Sequence, residues 1–306
     1  MSGFDGPSRP SSHDPSPSHP AGLANARGSS APRGQRGRPC VITRSRCSEC
    51  CICGEPTRWP QRPCPVRVIH VRTPAAFACA AADLIDAQLE SKPRSVLGLP
   101  TGSTPLGLYA ELVHRSRGGA ARLADARIFD LDEYCGIPPD HPCSYAAFIR
   151  SHLQIPLMLD PSHLRLLRGD APDFEAECSD YEGALANLGG LDLCVLGLGE
   201  NGHIAFNEPK SAWNARTRVV ELSVSTRARI EADARGPRPV PTHGLTLGIQ
   251  NVLEAGQVLL LISGPRKLAA KPAFARGVED PAWPVTSLLL HPNATVIELD
   301  EPACCP

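Results

Sequence analysis

The segment LGLGENGHIAFNEP, residues 196–209, brings a histidine, two asparagines and an acidic pair together directly after an apolar run, LDLCVL at 191–196. An apolar run that is broken by glycine and then by polar residues is typical of the carboxyl end of a buried parallel strand, where open α/β sheets bind ligands. His203 and Glu208 are five residues apart, so on a loop they can converge as an acid or base and its orienting carboxylate. With Asn201 beside them, they predict proton-transfer chemistry at this strand end.

A second strand-to-helix turn predicts a phosphate site. In GLPTGSTPLGLYAEL, residues 98–112, an apolar strand ends at Leu99 and a helix begins near Pro105. Backbone N–H groups around Gly102, the hydroxyls of Ser103 and Thr104 and the positive helix end together favour a phosphate monoester. The spacing is neither that of a Walker loop nor G-x-G-x-x-G. An ordinary capped turn is the alternative interpretation.

A third strand end, ISGPRKLAA at 262–270, carries a lysine where a helix is predicted to begin. A cation in the first turn of a helix is electrostatically disfavoured unless an anion is bound there. We therefore predict Lys267 as a further phosphate ligand, in the first turn of a helix over 265–275. The alternative is a solvated surface lysine, which is the usual environment of this residue type.

An acidic cluster, Asp130, Asp132 and Glu133, follows the apolar strand that ends at Leu131. A carboxylate at a strand end beside a half-buried pocket can be a general base, because desolvation raises its pKa. We predict Asp132 in this role. The cluster has no companion histidines or aspartates at a metal-binding spacing, so the sequence predicts no metal site here.

The order of predicted elements indicates the fold class. From residue 66 to residue 306, strand-like and helix-like segments alternate, which predicts an α/β fold: a doubly wound, mostly parallel, Rossmann-like sheet with helices on both faces. Thr73 and Pro74 predict the start of a helix over 73–90. Residues 244–255 are also predicted to be helical.

Residues 1–65 have a different composition, with 11 of the 32 prolines and many Ser, Gly and Arg. Such a segment buries too little apolar surface to offset its ordering entropy, so we predict a disordered extension. Cys47 and Cys50 have the C-x-x-C spacing of a zinc site, but no second pair follows, and an accidental cysteine-rich segment is the preferred interpretation.

Bulk properties narrow the function classes. The formal net charge of −1 argues against a nucleic-acid partner. No apolar run approaches the roughly 20 residues of a membrane span, and no secretory signal is recognisable. The expected location is the cytoplasm, without a membrane partner.

Four segments in order, LGLPTGSTP, FDLDEYCG, GLGENGHIAFNEP and SGPRK, resemble the glucosamine-6-phosphate deaminase (isomerising) family, and the resemblance runs from about 66 to 303. It implies conversion of glucosamine 6-phosphate and water to fructose 6-phosphate and ammonia, in amino-sugar catabolism. It implies a sugar phosphate as the binding partner and no cofactor, because this reaction needs only acid–base chemistry. The family includes monomers and hexamers, so a homo-oligomer is one of two states left open.

The resemblance also implies residue roles. Asp132 would move a proton between C2 and C1, His203 would open the pyranose ring, and Glu208 would orient His203. The phosphate would be held by Gly102, Ser103, Thr104 and Lys267.

Among the departures of the chain from the family pattern, two concern candidate site residues. Asn201 stands where many members have Asp, which leads us to expect an altered pH dependence rather than lost activity. Arg229 and Arg235 straddle the position of an arginine that helps to bind phosphate in the family.

Two alternative functions are weighed against the deaminase. A 6-phosphogluconolactonase-like hydrolase would share the fold and the glycine–histidine loop, but its Asp-Glu-Arg turn is replaced here by Asp132-Glu133-Tyr134. A non-catalytic sugar-phosphate sensor would have no need of Asp132, His203 and Glu208 together. The deaminase is the preferred prediction.

Overall fold

The structure, a computed structural model, describes residues 42–43, 66–117, 122–232, 236–264, 267 and 270–300, with only the backbone of 42, 43, 122 and 229. Within these ranges the strands are β1 Ile42–Thr43, β2 Val66–Val71, β3 Val96–Leu99, β4 Arg127–Asp130, β5 Asp132–Tyr134, β6 Leu164–Arg165, β7 Leu193–Gly197, β8 Arg218–Glu221, β9 His243–Thr246, β10 Gln257–Ile262 and β11 Ala294–Leu299. The α-helices are α1 Pro74–Ser91, α2 Leu106–Arg117, α3 Tyr145–Ile149, α4 Ile155–Leu157, α5 Phe174–Asn187, α6 Val224–Ala232, α7 Ile249–Leu253 and α8 Lys271–Ala275. A π-helical turn, Arg150–Gln154, joins α3 to α4, and the longest 3-10 helix is Pro284–Leu290.

The main sheet, as far as the chain is described, has eight strands in the order β1-β2-β11-β10-β7-β3-β4-β6. All neighbours are parallel except β1, which pairs antiparallel with β2. From β3 the chain proceeds to β4 and β6, whereas from β7 it proceeds in the opposite direction to β10 and β11. The predicted doubly wound parallel sheet is confirmed, and its winding reverses between β3 and β7.

Strand alternation divides the core between the two faces of the sheet. On β7, Leu193 and Val195 belong to the core under α1, α2 and α3, whereas Cys194 and Leu196 belong to the core under α5, α7 and the 3-10 helix. This period of two is the expected consequence of side chains pointing alternately to opposite faces. Both faces are therefore covered, which leaves the strand ends as the place for a ligand.

A smaller antiparallel sheet, β5-β9-β8, lies beside the main one and was not predicted. The predicted helix over 244–255 is wrong, because His243–Thr246 forms the central strand of this sheet and only Ile249–Leu253 is helical. Pairing of this strand with β5 and β8 overrides the helical pattern. Gly248 marks the boundary with the helix, and a Cβ there would lie 2.0 Å from the carbonyl oxygen of Ala215. The chain packs backbone against backbone at this point, where a continuous helix would not fit.

The helix predicted over 265–275 is confirmed only over Lys271–Ala275. Lys267 lies before α8 in a 3-10 turn, and residues 265, 266, 268 and 269 are outside the described part of the chain, so its place in the first turn of a helix over 265–275 stays a prediction. Its backbone N–H bonds to the carbonyl oxygen of Gly264 at 3.2 Å, which keeps it close to the end of β10.

The predicted extension over 1–65, including Cys47 and Cys50, lies outside the described residues except for Ile42–Thr43. These two residues pair with His70 and Ile69 of β2. Across the part of the chain that the structure describes, the helices are too short or too polar to cross a bilayer.

The N-cap residue of helix α1, Thr73, is a site where the contribution of helix capping to the stability of the fold can be measured. Thr73 has an extended backbone, and its hydroxyl oxygen accepts a hydrogen bond from the N–H of Ala76 at 3.1 Å. We expect Thr73→Ala to lower the free energy of unfolding by about 1 kcal/mol, because one N–H of the first turn loses its partner. Thr73→Ser, which keeps the hydroxyl, is the matched control in urea unfolding. Equal stability of the alanine and serine variants would contradict the capping role.

Candidate functional site

A polar cleft lies at the carboxyl ends of β3 and β7, where the winding of the sheet reverses. It holds about 650 Å³, counting the space at its open mouth. Its walls come from five separate segments of the chain: Pro100–Thr104, Leu131–Asp132, Tyr145, the loop Gly197–Phe206, and Lys267. A cleft at a topological switch point is the usual ligand site of an open α/β sheet.

The turn after β3 forms one end of the cleft. Gly102 has φ +91°, a left-handed conformation that residues with a Cβ rarely adopt, and Ser103 and Thr104 follow it in the lining. Helix α2 begins at Leu106, so its positive end lies just behind the turn. Lys267 lines the same cleft, which brings together all four residues predicted to hold phosphate.

The three clustered acids have separate environments. The carboxylate of Asp130 is fully buried and accepts a hydrogen bond from the N–H of Leu167, while burial raises its pKa well above the usual range. Glu133 is also fully buried, and burial raises its pKa although several donors favour its ionised form. Neither residue lines the cleft.

Asp132 is the member of the acidic cluster that lines the cleft, and it is 8% exposed. The chain leaves the main sheet after Asp130 and joins the small sheet at Asp132, which pairs with Thr246. The carbonyl oxygen of Leu131 accepts a bond from Leu247 N–H at 2.7 Å, which fixes this change of sheet. The predicted base, Asp132, therefore lies where the chain passes from the main sheet to the small sheet, and both sheets fix its position.

The loop after β7 carries His203 across the cleft, and a glycine makes room for its ring. A Cβ on Gly199 would lie 2.3 Å from atoms of the imidazole. The N–H of Gly199 also donates to the carbonyl oxygen of His203 at 2.8 Å. Farther along, the side-chain amide of Asn207 donates to Leu247 at 2.8 Å and anchors the end of the loop.

Asn201 lies between His203 and Glu208. Its Oδ1 is 2.6 Å from His203 Nδ1, and its Nδ2 donates to Glu208 Oε2 at 2.6 Å. A carboxylate only accepts, so the amide must present Nδ2 to Glu208 and Oδ1 to the imidazole. Nδ1 therefore carries a proton, and in the neutral imidazole Nε2 is the basic nitrogen.

Glu208 supplies the negative charge next to the hydrogen-bonded pair of Asn201 and His203. Its Oε2 is 3.7 Å from His203 Nδ1, and its Oε1 accepts hydrogen bonds from Ser223 and Thr226, each at 2.8 Å. Burial raises the pKa of Glu208, but the nearby His203 and the three hydrogen bonds outweigh burial and hold the pKa below its usual range. The carboxylate thus stays ionised beside the imidazole.

Several residues of the site were not predicted from the sequence. Tyr145 and Phe206 line the cleft, and Ser223 and Thr226 hold Glu208 at the start of α6. The Ser-x-x-Thr spacing before α6 is the kind of helix-start signal that could have identified the last two. The side chain of Arg229 and all of Arg235 lie outside the described residues.

Two other features of the described residues are less suited to catalysis. A hollow of about 950 Å³ beside α5 and α7 contains Glu182 and Glu254, but both already accept hydrogen bonds from Arg216. The group with ligand atoms close enough for a metal ion, His70, Glu298 and Asp300, is outside the cleft, and Glu298 pairs with Lys271 at 2.6 Å.

Comparison with known proteins connects this geometry to a family. The profile of the family described as glucosamine-6-phosphate isomerases/6-phosphogluconolactonase matches residues 72–297. A glucosamine-6-phosphate deaminase of Lysinibacillus sphaericus is 38% identical over 75% of this chain and 97% of its own length. One of Geobacillus sp. is 43% identical over 71% of this chain and 86% of its own length.

Solved structures agree with these relatives. A monomeric glucosamine-6-phosphate deaminase is 36% identical and superposes with a TM-score of 0.72, covering 76% of this chain and 96% of its own. A 6-phosphogluconolactonase from Thermotoga maritima superposes with a TM-score of 0.61, covering 77% of this chain and 100% of its own. At 18% identity, the second likeness shows the shared fold alone.

The lowered pKa of Glu208 has a consequence for stability. A carboxylate whose pKa is lower in the folded state stabilises the fold above its unfolded pKa, about 4.3, and this contribution disappears as the pH falls through the folded value. We expect Glu208→Gln to destabilise the protein most at neutral pH and progressively less on acidification. Urea unfolding of both proteins over a pH series measures the difference.

The control for this prediction is Glu279→Gln, at an exposed position outside the cleft. A pH-independent difference between wild type and Glu208→Gln, or the same pH dependence in the control, would contradict the assigned charge state of Glu208.

Proposed function

We propose that this chain, which belongs to the family of glucosamine-6-phosphate isomerases and 6-phosphogluconolactonases, converts glucosamine 6-phosphate and water into fructose 6-phosphate and ammonia. The observation that carries the proposal is that one cleft contains Asp132, His203 and a phosphate-like turn with Lys267. Relatives at 38% to 43% identity that are named glucosamine-6-phosphate deaminase support the choice of substrate.

The phosphate end of the substrate binds at the turn after β3. Backbone N–H groups around Gly102, the hydroxyls of Ser103 and Thr104 and the positive end of α2 supply donors for the phosphate oxygens. Lys267, which lines the same cleft, adds a positive charge for the phosphate. Because phosphate is remote from the reacting carbons, these contacts hold substrate and transition state nearly equally.

His203 opens the pyranose ring. Its Nε2 takes the proton of the C1 hydroxyl and delivers a proton to the ring oxygen, which yields the open-chain aldehyde. During this exchange the imidazole becomes positively charged, and the ionised Glu208 at 3.7 Å stabilises that charge. Asn201 holds the ring in the required tautomer by accepting from Nδ1.

Asp132 carries out the isomerisation. Its carboxylate takes the proton from C2 while the C1 oxygen takes a proton from the substrate's own ammonium group, which gives a neutral enolamine, and the carboxylate then returns the C2 proton to C1. The product is an iminium ion at C2, and the proton that gives its positive charge leaves with the ammonia as ammonium. Water adds to that carbon and ammonia leaves, so the ketone oxygen comes from water. The steps require acid–base groups only, and the proposal includes no cofactor and no metal.

We also propose which residues carry the activity and where in the cell the protein is located. We place the activity in residues 66–306, with residues 1–65 as an extension that catalysis does not need, and we place the protein in the cytoplasm. Assembly into a homo-oligomer is not part of the proposal, since one solved relative at 36% identity is monomeric. Activity of a chain that begins at residue 66, compared with the full chain, tests the domain assignment.

The assay that tests the function measures ammonia and fructose 6-phosphate released from glucosamine 6-phosphate without added metal, from about pH 6 to about pH 9. Formation of both products in equal amounts supports the proposal. A parallel assay with 6-phosphogluconolactone separates the runner-up function, since lactone hydrolysis without ammonia release would indicate the hydrolase. Sugar-phosphate binding without any product would indicate a sensor.

Asp132→Asn isolates the proposed base. The amide is nearly the same size but cannot accept the C2 proton, so we expect turnover to fall at least about 100-fold while glucosamine 6-phosphate still binds. Steady-state kinetics and calorimetric binding check the two parts of the expectation. Glu279→Gln, with the same carboxylate-to-amide change outside the cleft, is the control. Near-normal turnover in Asp132→Asn would remove this residue from the mechanism.

Lys267→Ala isolates phosphate binding. Loss of one charge-assisted contact that acts equally on ground and transition states should raise KM about 10- to 100-fold and change kcat little. Lys92→Ala is the control, because Lys92 pairs with Asp192 at 2.8 Å outside the cleft. An unchanged KM in Lys267→Ala would show that this lysine does not contact the phosphate.

A further inference from the structure

Tyr145 lines the same cleft as Asp132 and His203, and its backbone N–H bonds to Glu133, the residue next to Asp132. We infer that it is a specificity-determining residue: its phenol contacts the hydroxyl-bearing carbon chain of the sugar phosphate, separately from the phosphate turn. This inference rests on the proposed function for the identity of the sugar. It concerns a residue to which neither the sequence motifs nor the proposed mechanism assigns a role.

The backbone of Tyr145 is held by the buried carboxylate of Glu133. Glu133 Oε1 accepts hydrogen bonds from the N–H groups of Tyr134 and Tyr145, at 2.8 and 3.1 Å. Its Oε2 accepts from the hydroxyl of Ser144 at 2.6 Å and from the N–H of Ala146 at 3.0 Å. One carboxylate therefore joins β5, which carries Asp132, to the start of α3, which carries Tyr145.

The side chain of Tyr145 is held by two other aromatic rings. Its centroid is 4.7 Å from that of Tyr134 and 5.9 Å from that of Phe206. The hydroxyl oxygens of Tyr134 and Tyr145 are 2.7 Å apart, within hydrogen-bond distance. Tyr134 is 5% exposed and Phe206 4%, whereas Tyr145 is partly exposed toward the cleft. A ligand can therefore reach the ring of Tyr145, and the less exposed rings of Tyr134 and Phe206 pack against it.

This arrangement suits a polyhydroxylated chain. A phenol hydroxyl can donate one hydrogen bond and accept others, so it can bond to Tyr134 and to a ligand hydroxyl together. A rigid aromatic ring also gives contact area at little cost in conformational entropy, since Tyr has two side-chain torsions. Inorganic phosphate has no carbon chain, so it would bind at the turn of residues 102–104 and not along this wall. Tyr145 should therefore select the sugar and leave phosphate binding unaffected.

The test compares two matched variants. Tyr145→Phe and Tyr134→Phe each remove one hydroxyl and break the same tyrosine–tyrosine hydrogen bond, but of the two residues only Tyr145 lines the cleft. We expect Tyr145→Phe to raise KM for glucosamine 6-phosphate about 3- to 10-fold, as for the loss of one hydrogen bond. Tyr134→Phe should stay within about 2-fold of wild type, and the inhibition constant of inorganic phosphate should stay unchanged in both.

Equal effects of the two variants on KM would overturn the inference, since they would indicate that only the bond between the tyrosines matters. An unchanged KM in Tyr145→Phe would overturn it as well, as would a matching loss of phosphate affinity. If wild type fails to release ammonia, the proposed function fails by itself. The dissociation constants of glucosamine 6-phosphate and inorganic phosphate, measured by calorimetry on the same variants, then decide the role of Tyr145.

Discussion

The reversal of winding between β3 and β7 is the constraint on which the site depends. The two strands are parallel neighbours, paired through Leu97 with Leu193 and Gly98 with Cys194, but their following loops lead away in opposite directions. A crevice must form where such loops separate. The turn at 100–104 and the glycine loop at 197–206 provide its two sides. The hydrogen-bond donors for phosphate and the proton-transfer histidine therefore lie in the same cleft, and each is on a short loop that directly follows its strand.

Asn201 links His203 to the charge of Glu208 without placing a second carboxylate between them. A second carboxylate in place of Asn201 would face Glu208 across 2.6 Å, and two like charges so close cannot both ionise. An amide avoids that conflict, because it donates to Glu208 and accepts from the imidazole. Glu208 then keeps its charge, supported by Ser223 and Thr226. The negative charge of Glu208 therefore acts on His203 without a direct hydrogen bond. The hydrogen bond from His203 Nδ1 to Asn201 sets the tautomer of the imidazole.

Local signals in the sequence identified the parts of the site that depend on local structure. Glycines at strand ends and the turn before α2 predicted where His203 and Ser103 would face a ligand. The sequence singled out Asp132 as the base but could not predict that Asp130 and Glu133 are buried away from the cleft, because their burial depends on partners farther along the chain, such as Leu167 and Ser144. The strand at His243–Thr246 was missed for the same reason, since pairing with β5 and β8 overrides its helical pattern.

The most direct test of the account is a crystal structure of Asp132→Asn with glucosamine 6-phosphate bound. The account predicts the phosphate at the backbone N–H groups of residues 102–104 with Lys267 Nζ against it. It also predicts C1 and C2 beside residue 132, and the ring oxygen within reach of His203 Nε2. A phosphate bound away from this turn, or a C1–C2 edge that faces away from residue 132, would contradict the central claim that this one cleft binds the sugar phosphate and transfers its protons.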